Sequence, residues 1–168
     1  NWSVDGDMTE RAHRRSANMS EANALWARAS ELARTGEIRQ AEKILTKLAR
    51  IAPDNADIYG FHGTLKVQSG KHAQAVPLLK RALRLDDGNP TTHGSLAVAY
   101  EGLSKSDKAK THYLRAPELD PKQARTHMNL GSLYWQEGKR ENAITHYEQA
   151  IDLDEEFAEA YVYLGQAM

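Results

Sequence analysis

Four alanines, Ala41, Ala75, Ala109 and Ala143, follow one another at intervals of 34 residues. The same period links Ile51, Leu85, Leu119 and Leu153, and again Leu45, Leu79, Tyr113 and Tyr147. It also links Gly36, Gly70 and Gly138, with Ser104 standing in the third register. A fixed period of about 20–50 residues marks a repeat architecture, in which each unit buries its apolar face only by stacking on the next. The frame divides the chain into units at 22–55, 56–89, 90–123 and 124–157 without insertion or deletion. A leader, 1–21, and a short final stretch, 158–168, remain outside it.

Each unit reads as helix, tight turn, helix. In the fourth, Met128, Leu130, Gly131, Tyr134 and Trp135 recur at helical spacing. Gly138 suits the positive φ that ends a helix, and Ala143, Ile144, Tyr147, Ala150, Ile151 and Leu153 form a second amphipathic run. Unit boundaries carry turn and cap residues, Pro53-Asp54-Asn55, Gly88-Asn89-Pro90 and Asp120-Pro121. No alternating run is long enough for a strand, so the expected fold is all-α. Pro117, deep in a second helix, predicts a kink or an early end there, whereas Pro77 falls in the first turns of its helix. In the leader, Asp7-Met8-Thr9-Glu10 offers a capping box before a basic stretch, which leaves a short capping helix or a disordered leader as alternatives and favours a partly formed helix.

On these residues the chain resembles the tetratricopeptide repeat (TPR) family, whose 34-residue pattern is W-x2-L-G-x2-Y, then A-x3-F, then A and P. The fourth unit matches with His127, Leu130, Gly131, Tyr134, Ala143, Tyr147 and Ala150. The third matches with Leu96, Ala97, Tyr100, Ala109, Tyr113, Ala116 and Pro121, and the second with Tyr59, Gly63, Ala75, Leu79 and Ala82. The first is most divergent, with Arg28 where Leu is usual. The resemblance covers residues 22–168 and implies a right-handed α-solenoid of tandem helix-turn-helix repeats. Residues 158–168 then read as the first helix of a partial fifth unit or a C-terminal cap, left without a partner helix. Together with Asn1 in first position, this points to a processed chain, or to a longer array, or to an apolar face covered by a second copy. The last alternative makes a homo-oligomer through the C-terminal helix one expected partner arrangement.

Composition removes several classes of function. The chain contains no Cys, which excludes disulfides, thiolate metal sites and a cysteine nucleophile. Its 22 Lys and Arg nearly balance 23 Asp and Glu, so a nucleic-acid coat is not expected. No segment approaches the ~20 apolar residues of a membrane-spanning helix. The compartment is left unknown, with the cytoplasm as the default and export or a periplasmic site open. The Gly63 to Gly70-Lys71 and Gly131 to Gly138-Lys139 pairs are spaced too widely for a phosphate loop. His93 with His127, and His112 with His146, occupy equivalent positions in successive units, which places them one helix-pair spacing apart, too far to share a metal. Packing or polar-tip roles are expected for these rings. Neither a catalytic residue nor a cofactor is expected.

What remains is surface. The family resemblance implies that first helices line a concave groove. Carried over by position, the groove residues are Asn23, Trp26, Ser30 and Arg34 in the first unit, and Asp57, Phe61, Thr64 and Gln68 in the second. The third contributes Thr91, Ser95, Val98 and Glu101; the fourth Arg125, Met128, Asn129, Ser132, Trp135 and Gln136. Glu159 and Tyr163 continue the groove from the partial unit. Gly60, Gly94 and Gly102 each cost a helix about 1 kcal/mol relative to alanine, which points either to a ligand backbone or to tight helix packing. The relatives that clamp the carboxylate end of heat-shock chaperones carry Lys, Asn and Arg at positions that here hold Trp26, Ser30, Phe61, Thr91 and Ser95, so that clamp is missing. The asparagine ladder of O-linked sugar transferases is reduced to Asn129. The expected function is a non-enzymatic protein-interaction scaffold that binds a peptide or amphipathic helix of a protein partner in this groove, with a regulatory or substrate-recruiting segment of a larger enzyme and a self-assembling scaffold as alternatives. Charge is polarised along the array: residues 22–123 sum to +5 and residues 124–168 to −5.

Overall fold

The computed structural model describes residues 3–168, with side chains described at 10, 13 and 16–168. Among them are nine helices and no strand: α1 (Ser3–Arg34), α2 (Ile38–Ile51), α3 (Ala56–Gln68), α4 (His72–Leu85), α5 (Pro90–Gly102), α6 (Ser106–Leu119), α7 (Ala124–Gln136), α8 (Arg140–Leu153) and α9 (Ala158–Ala167). Successive pairs form antiparallel hairpins, and each hairpin packs on the next to give an α-solenoid. No described helix is long and apolar enough to cross a membrane.

The 34-residue alanines explain the close pairing. Ala41, Ala75, Ala109 and Ala143 are all essentially buried, at 0–2% exposure. Opposite them, Gly63 and Gly131 leave room for a large side chain from the second helix. A Cβ on Gly63 would lie 2.5 Å from Leu79 Cγ, and one on Gly131 would lie 2.7 Å from the Tyr147 ring. On α9, the last of the described helices, a Cβ on Gly165 would meet nothing within 4 Å. Accordingly α9 buries Ala160 and Ala167 while Tyr161, Val162 and Met168 stay exposed.

Turns and caps follow the local chemistry. Gly36, Gly70 and Gly138 take positive φ, and Ser104 takes the same left-handed conformation at φ 57°. The bond pattern is shared: Glu37 N–H donates to the Leu32 carbonyl at 2.7 Å, and Lys105 N–H to the Tyr100 carbonyl at 2.9 Å. Both close the six-residue ring of a Schellman end. Asn55 and Asn89 cap α3 and α5, their side-chain oxygens accepting from Asp57 N–H and Thr92 N–H at 3.0 Å each.

Two expectations are corrected. Pro117 does not end its helix early: α6 runs to Leu119, the same repeat position at which α4 stops at Leu85 and α8 at Leu153. Proline removes one donor, but Tyr113 and Ala116 remain buried on neighbouring hairpins, and this packing outweighs the lost bond. The leader is not a separate capping helix, because α1 runs without a break from Ser3 into the first unit. Residues 7–10 lie inside it and do not start a helix; the side chains of Asp7, Met8 and Thr9 lie outside the described residues.

A concave groove as the candidate functional site

First helices line one face of the solenoid, and the side chains predicted for it separate into three groups. Thr64, Gln68, Thr91, Ser95, Val98, Arg125 and Asn129 come together around a cavity of about 460 Å³, joined there by Val67, Gly94, Gln123 and Thr126. Its floor is polar: the Thr64 and Ser95 hydroxyls share a hydrogen bond of 2.9 Å across α3 and α5. Val98, Glu101, Met128, Asn129, Ser132, Trp135 and Tyr163 line a second cavity of about 280 Å³. Val98 and Asn129 belong to both, so the two cavities adjoin.

The third group lies in neither cavity. Trp26 and Phe61 are half-buried, pack on the core of the first two units and face each other at 5.5 Å, so they build the wall more than they offer a surface. Arg34 is exposed and paired with Glu31 at 2.6 Å. Asn23 and Asp57 are exposed and Ser30 half-buried. Met128 is also corrected in part: it lines the smaller cavity, but it is buried in a cluster with Ala150 and Ala160. Trp135, by contrast, keeps 42% of its surface exposed.

The glycines divide as well. Gly102 makes room for the His72 ring, 2.4 Å from where a Cβ would be, and Gly60 for the Thr92 hydroxyl at 3.0 Å. Both serve packing. A Cβ on Gly94 would meet only the Asn129 amide at 3.7 Å, so this glycine opens the floor of the larger cavity.

Tyr113 and Tyr147 reach the smaller cavity from α6 and α8, a contribution that position-by-position reading of first helices missed. The available signal was a tyrosine where the A-x3-F element has phenylalanine. The ring serves the core and the added hydroxyl reaches through. Tyr113 O–H donates to Glu101 Oε2, and the Gln136 side-chain amide donates to Glu101 Oε1. Burial, then the hydrogen bond to Glu101 and last its charge, push the Tyr113 phenol far above its ordinary range, so it remains a donor. Tyr147 O–H donates to Ser132 Oγ at 3.4 Å.

The histidines pair within units and not between them. His93 Nδ1 faces His112 Nδ1 at 2.9 Å, and His127 Nδ1 faces His146 Nδ1 at 3.3 Å. His93 Nε2 and His127 Nε2 lie 3.0 and 2.8 Å from the carbonyls of Asp87 and Pro121. A carbonyl only accepts, so each Nε2 carries the proton, Nδ1 of His93 and His127 accepts, and His112 and His146 donate through Nδ1. Ring centroids lie 5.1 and 5.6 Å apart, 2.2 and 2.3 Å beyond the N···N distances, which sets the rings edge to edge with the two nitrogens in line. An ion held between opposed nitrogens at ~2.0–2.1 Å from each would need them about 4 Å apart. The geometry is that of a hydrogen bond.

Burial, and then the facing imidazole, hold His112 and His146 below the ordinary histidine range; Gln149 acts in the opposite sense on His146. His62 is lowered by burial and then by Lys66. In the unfolded chain these groups titrate near pH ~6.5, so below that pH the unfolded state binds more protons than the folded one. Their contribution is complete above about pH 6.5 and declines as the pH falls toward the lowered folded values. The urea midpoint should therefore drop between pH 7.5 and 5.5, and a His112→Gln, His146→Gln double variant should show a shallower drop, with the His62 share retained. An unchanged slope in the double variant would remove these pairs as its source.

Three family models match the chain: one described as TPR repeat at residues 134–168, and two as Tetratricopeptide repeat at residues 66–132 and 27–90. No curated protein matches in sequence. Among solved structures, PilF of Pseudomonas aeruginosa superposes with a TM-score of 0.78 at 19% identity, over 90% of this chain and 69% of that one. YrrB, described as a TPR protein with an unusual peptide-binding site, gives 0.67 at 21% identity, over 94% and 84%. The first TPR of Spaghetti bound to an HSP90 peptide gives 0.62 at 23% identity, over 67% and 90%. At such identities the likeness is one of fold.

Proposed function

Because the chain belongs to the tetratricopeptide repeat family, we propose that it is a non-enzymatic scaffold that holds an extended peptide or an amphipathic helix in its concave groove. One observation carries the reading: two adjoining cavities run along the first helices, with hydroxyl and amide groups in one and an exposed tryptophan at the other. Such a surface offers hydrogen bonds to a peptide backbone and an aromatic anchor for a side chain. The stacked hairpins fix these groups before binding, so little ordering opposes association. YrrB and Spaghetti, similar in fold, are described as having a peptide-binding site and a bound peptide. Lacking the cationic clamp positions, this groove favours a ligand other than an acidic chain end.

Selection from a displayed random-peptide library on the immobilised protein tests the proposal. Peptides with a shared consensus should be enriched, and Trp135→Ala and Asn129→Ala should each weaken their binding about tenfold or more, as hot-spot truncations do. Circular dichroism should be unchanged, since Trp135 is exposed and Asn129 lies on the groove. No enrichment, or binding indifferent to both variants, would overturn the reading.

A further inference from the structure

The smaller cavity has an uncompensated charge. Glu101 is half-buried at the last turn of α5, and both carboxylate oxygens are held by neutral donors, Tyr113 and Gln136. Among the described residues no ion pair reaches it. A carboxylate at a helix C-terminus faces the negative end of the macrodipole, where a cation is favoured. α1 to α4 each carry a basic residue in the last turn, but α5 to α9 carry none. α7 also ends at this cavity, with Trp135 and Gln136 in its last turn. From α9, Glu159 adds a second carboxylate to the lining, which contains neither Lys nor Arg. Arg125, the cation of the adjoining cavity, lies over the Phe157 ring at 5.4 Å instead.

The walls are aromatic. Trp135 stands exposed, and Tyr147 and Tyr163 stack with centroids 5.8 Å apart and planes 18° from parallel. Aromatic faces attract cations, and the more so where water is partly excluded. The volume of about 280 Å³ is just below the ~300–1,000 Å³ of sites for drug-sized ligands, a size for one long side chain.

We propose that this cavity is a specificity pocket for a basic side chain, arginine by preference, of the peptide that lies in the groove. The proposal rests on the groove reading above. A guanidinium is planar, can stack on Trp135 or a tyrosine while donating to Glu101, and sheds water more readily than an ammonium. Lysine offers a compact charge without the stacking plane. Tyr113 and Gln136 act as positioning residues, because they fix the carboxylate before the ligand arrives.

The test uses the whole chain and a probe independent of library selection. Nα-acetyl-arginine amide is titrated against the Trp135 indole N–H resonance, with the lysine and citrulline amides and tetramethylammonium alongside. A saturable shift with the arginine amide is expected, weaker with lysine and tetramethylammonium and absent with citrulline, which keeps the shape and loses the charge. Glu101→Gln should weaken arginine binding about tenfold, and Glu159→Gln by less, while circular dichroism stays unchanged. Citrulline binding like arginine, tetramethylammonium binding as well as arginine, no shift with arginine, or an indifferent Glu101→Gln variant would each overturn the pocket. A library consensus lacking both arginine and lysine would also overturn it while leaving the groove intact. Failure of the library to enrich any peptide would strike the groove instead.

Discussion

Tyr147→Ala is expected to remove about 3–5 kcal/mol of stability, the range for truncating a fully buried aromatic ring. The ring is 1% exposed, occupies the space above Gly131 and stacks on Tyr163, so its loss opens a cavity in two interfaces at once. In a solenoid each unit contacts only its neighbours, so damage at one end stays near that end. The fourth hairpin and α9 should therefore open at lower urea than the rest. Trp26 and Trp135 sit in the first and fourth units, and single-tryptophan variants report on the ends separately. The Trp135 transition should move to lower urea while that of Trp26 moves little. Tyr147→Phe should stay within about 1 kcal/mol of the parent, since it removes only one long hydrogen bond of modest net value. Coincident transitions in Tyr147→Ala would show that the array unfolds as one unit.

Leu79→Ala should cost about 2–5 kcal/mol, and Gly63→Ala about 1–3 kcal/mol through overpacking. Leu79 is wholly buried among Ala75, Leu96 and Ala97 at the centre of the array, so both neighbouring interfaces lose contacts. The two sites are one joint: a Gly63 Cβ would meet Leu79 Cγ at 2.5 Å, Cδ2 at 2.7 Å and the backbone nitrogen at 3.3 Å. Truncating Leu79 removes the first two contacts, and the new methyl then fills part of the cavity. The double variant should therefore be less destabilised than the sum of the singles, with a coupling inside the ~0.5–3 kcal/mol seen for touching residues. Denaturant melts of the four proteins measure it, and strict additivity would sink the account of the small-residue positions.

The helices and turns were legible because their causes are local and repeated. Gly36, Gly70 and Gly138 sit where a left-handed residue must end a helix, and Ser104 reveals that conformation by taking it without glycine's freedom. Asn55 and Asn89 announce the starts of α3 and α5 by side-chain capping. Pro117 misled because its cost, one donor and local crowding, is visible in a sequence window, whereas the packing that outweighs it is supplied by other hairpins. Trp26 and Phe61 misled in a related way. Their positions put them on the groove helices, but both rings pack against the core of the first two units and against each other.

The 34-residue period by itself determined the unit, the two helices within it and the small positions where they cross; the residues assigned to the concave face came only with the family resemblance. The unit, its helices and their crossings follow from backbone geometry and side-chain volume, which act over a few residues and recur with the repeat. Only the tertiary structure decided which offered residues meet. The in-line pairs His93–His112 and His127–His146, and the hold of Tyr113 and Gln136 on Glu101, join side chains on different helices. Distances of 2.9 and 3.3 Å depend on the rotation and crossing of those helices. Packing of every neighbouring side chain sets that geometry, and no single spacing along the chain encodes it.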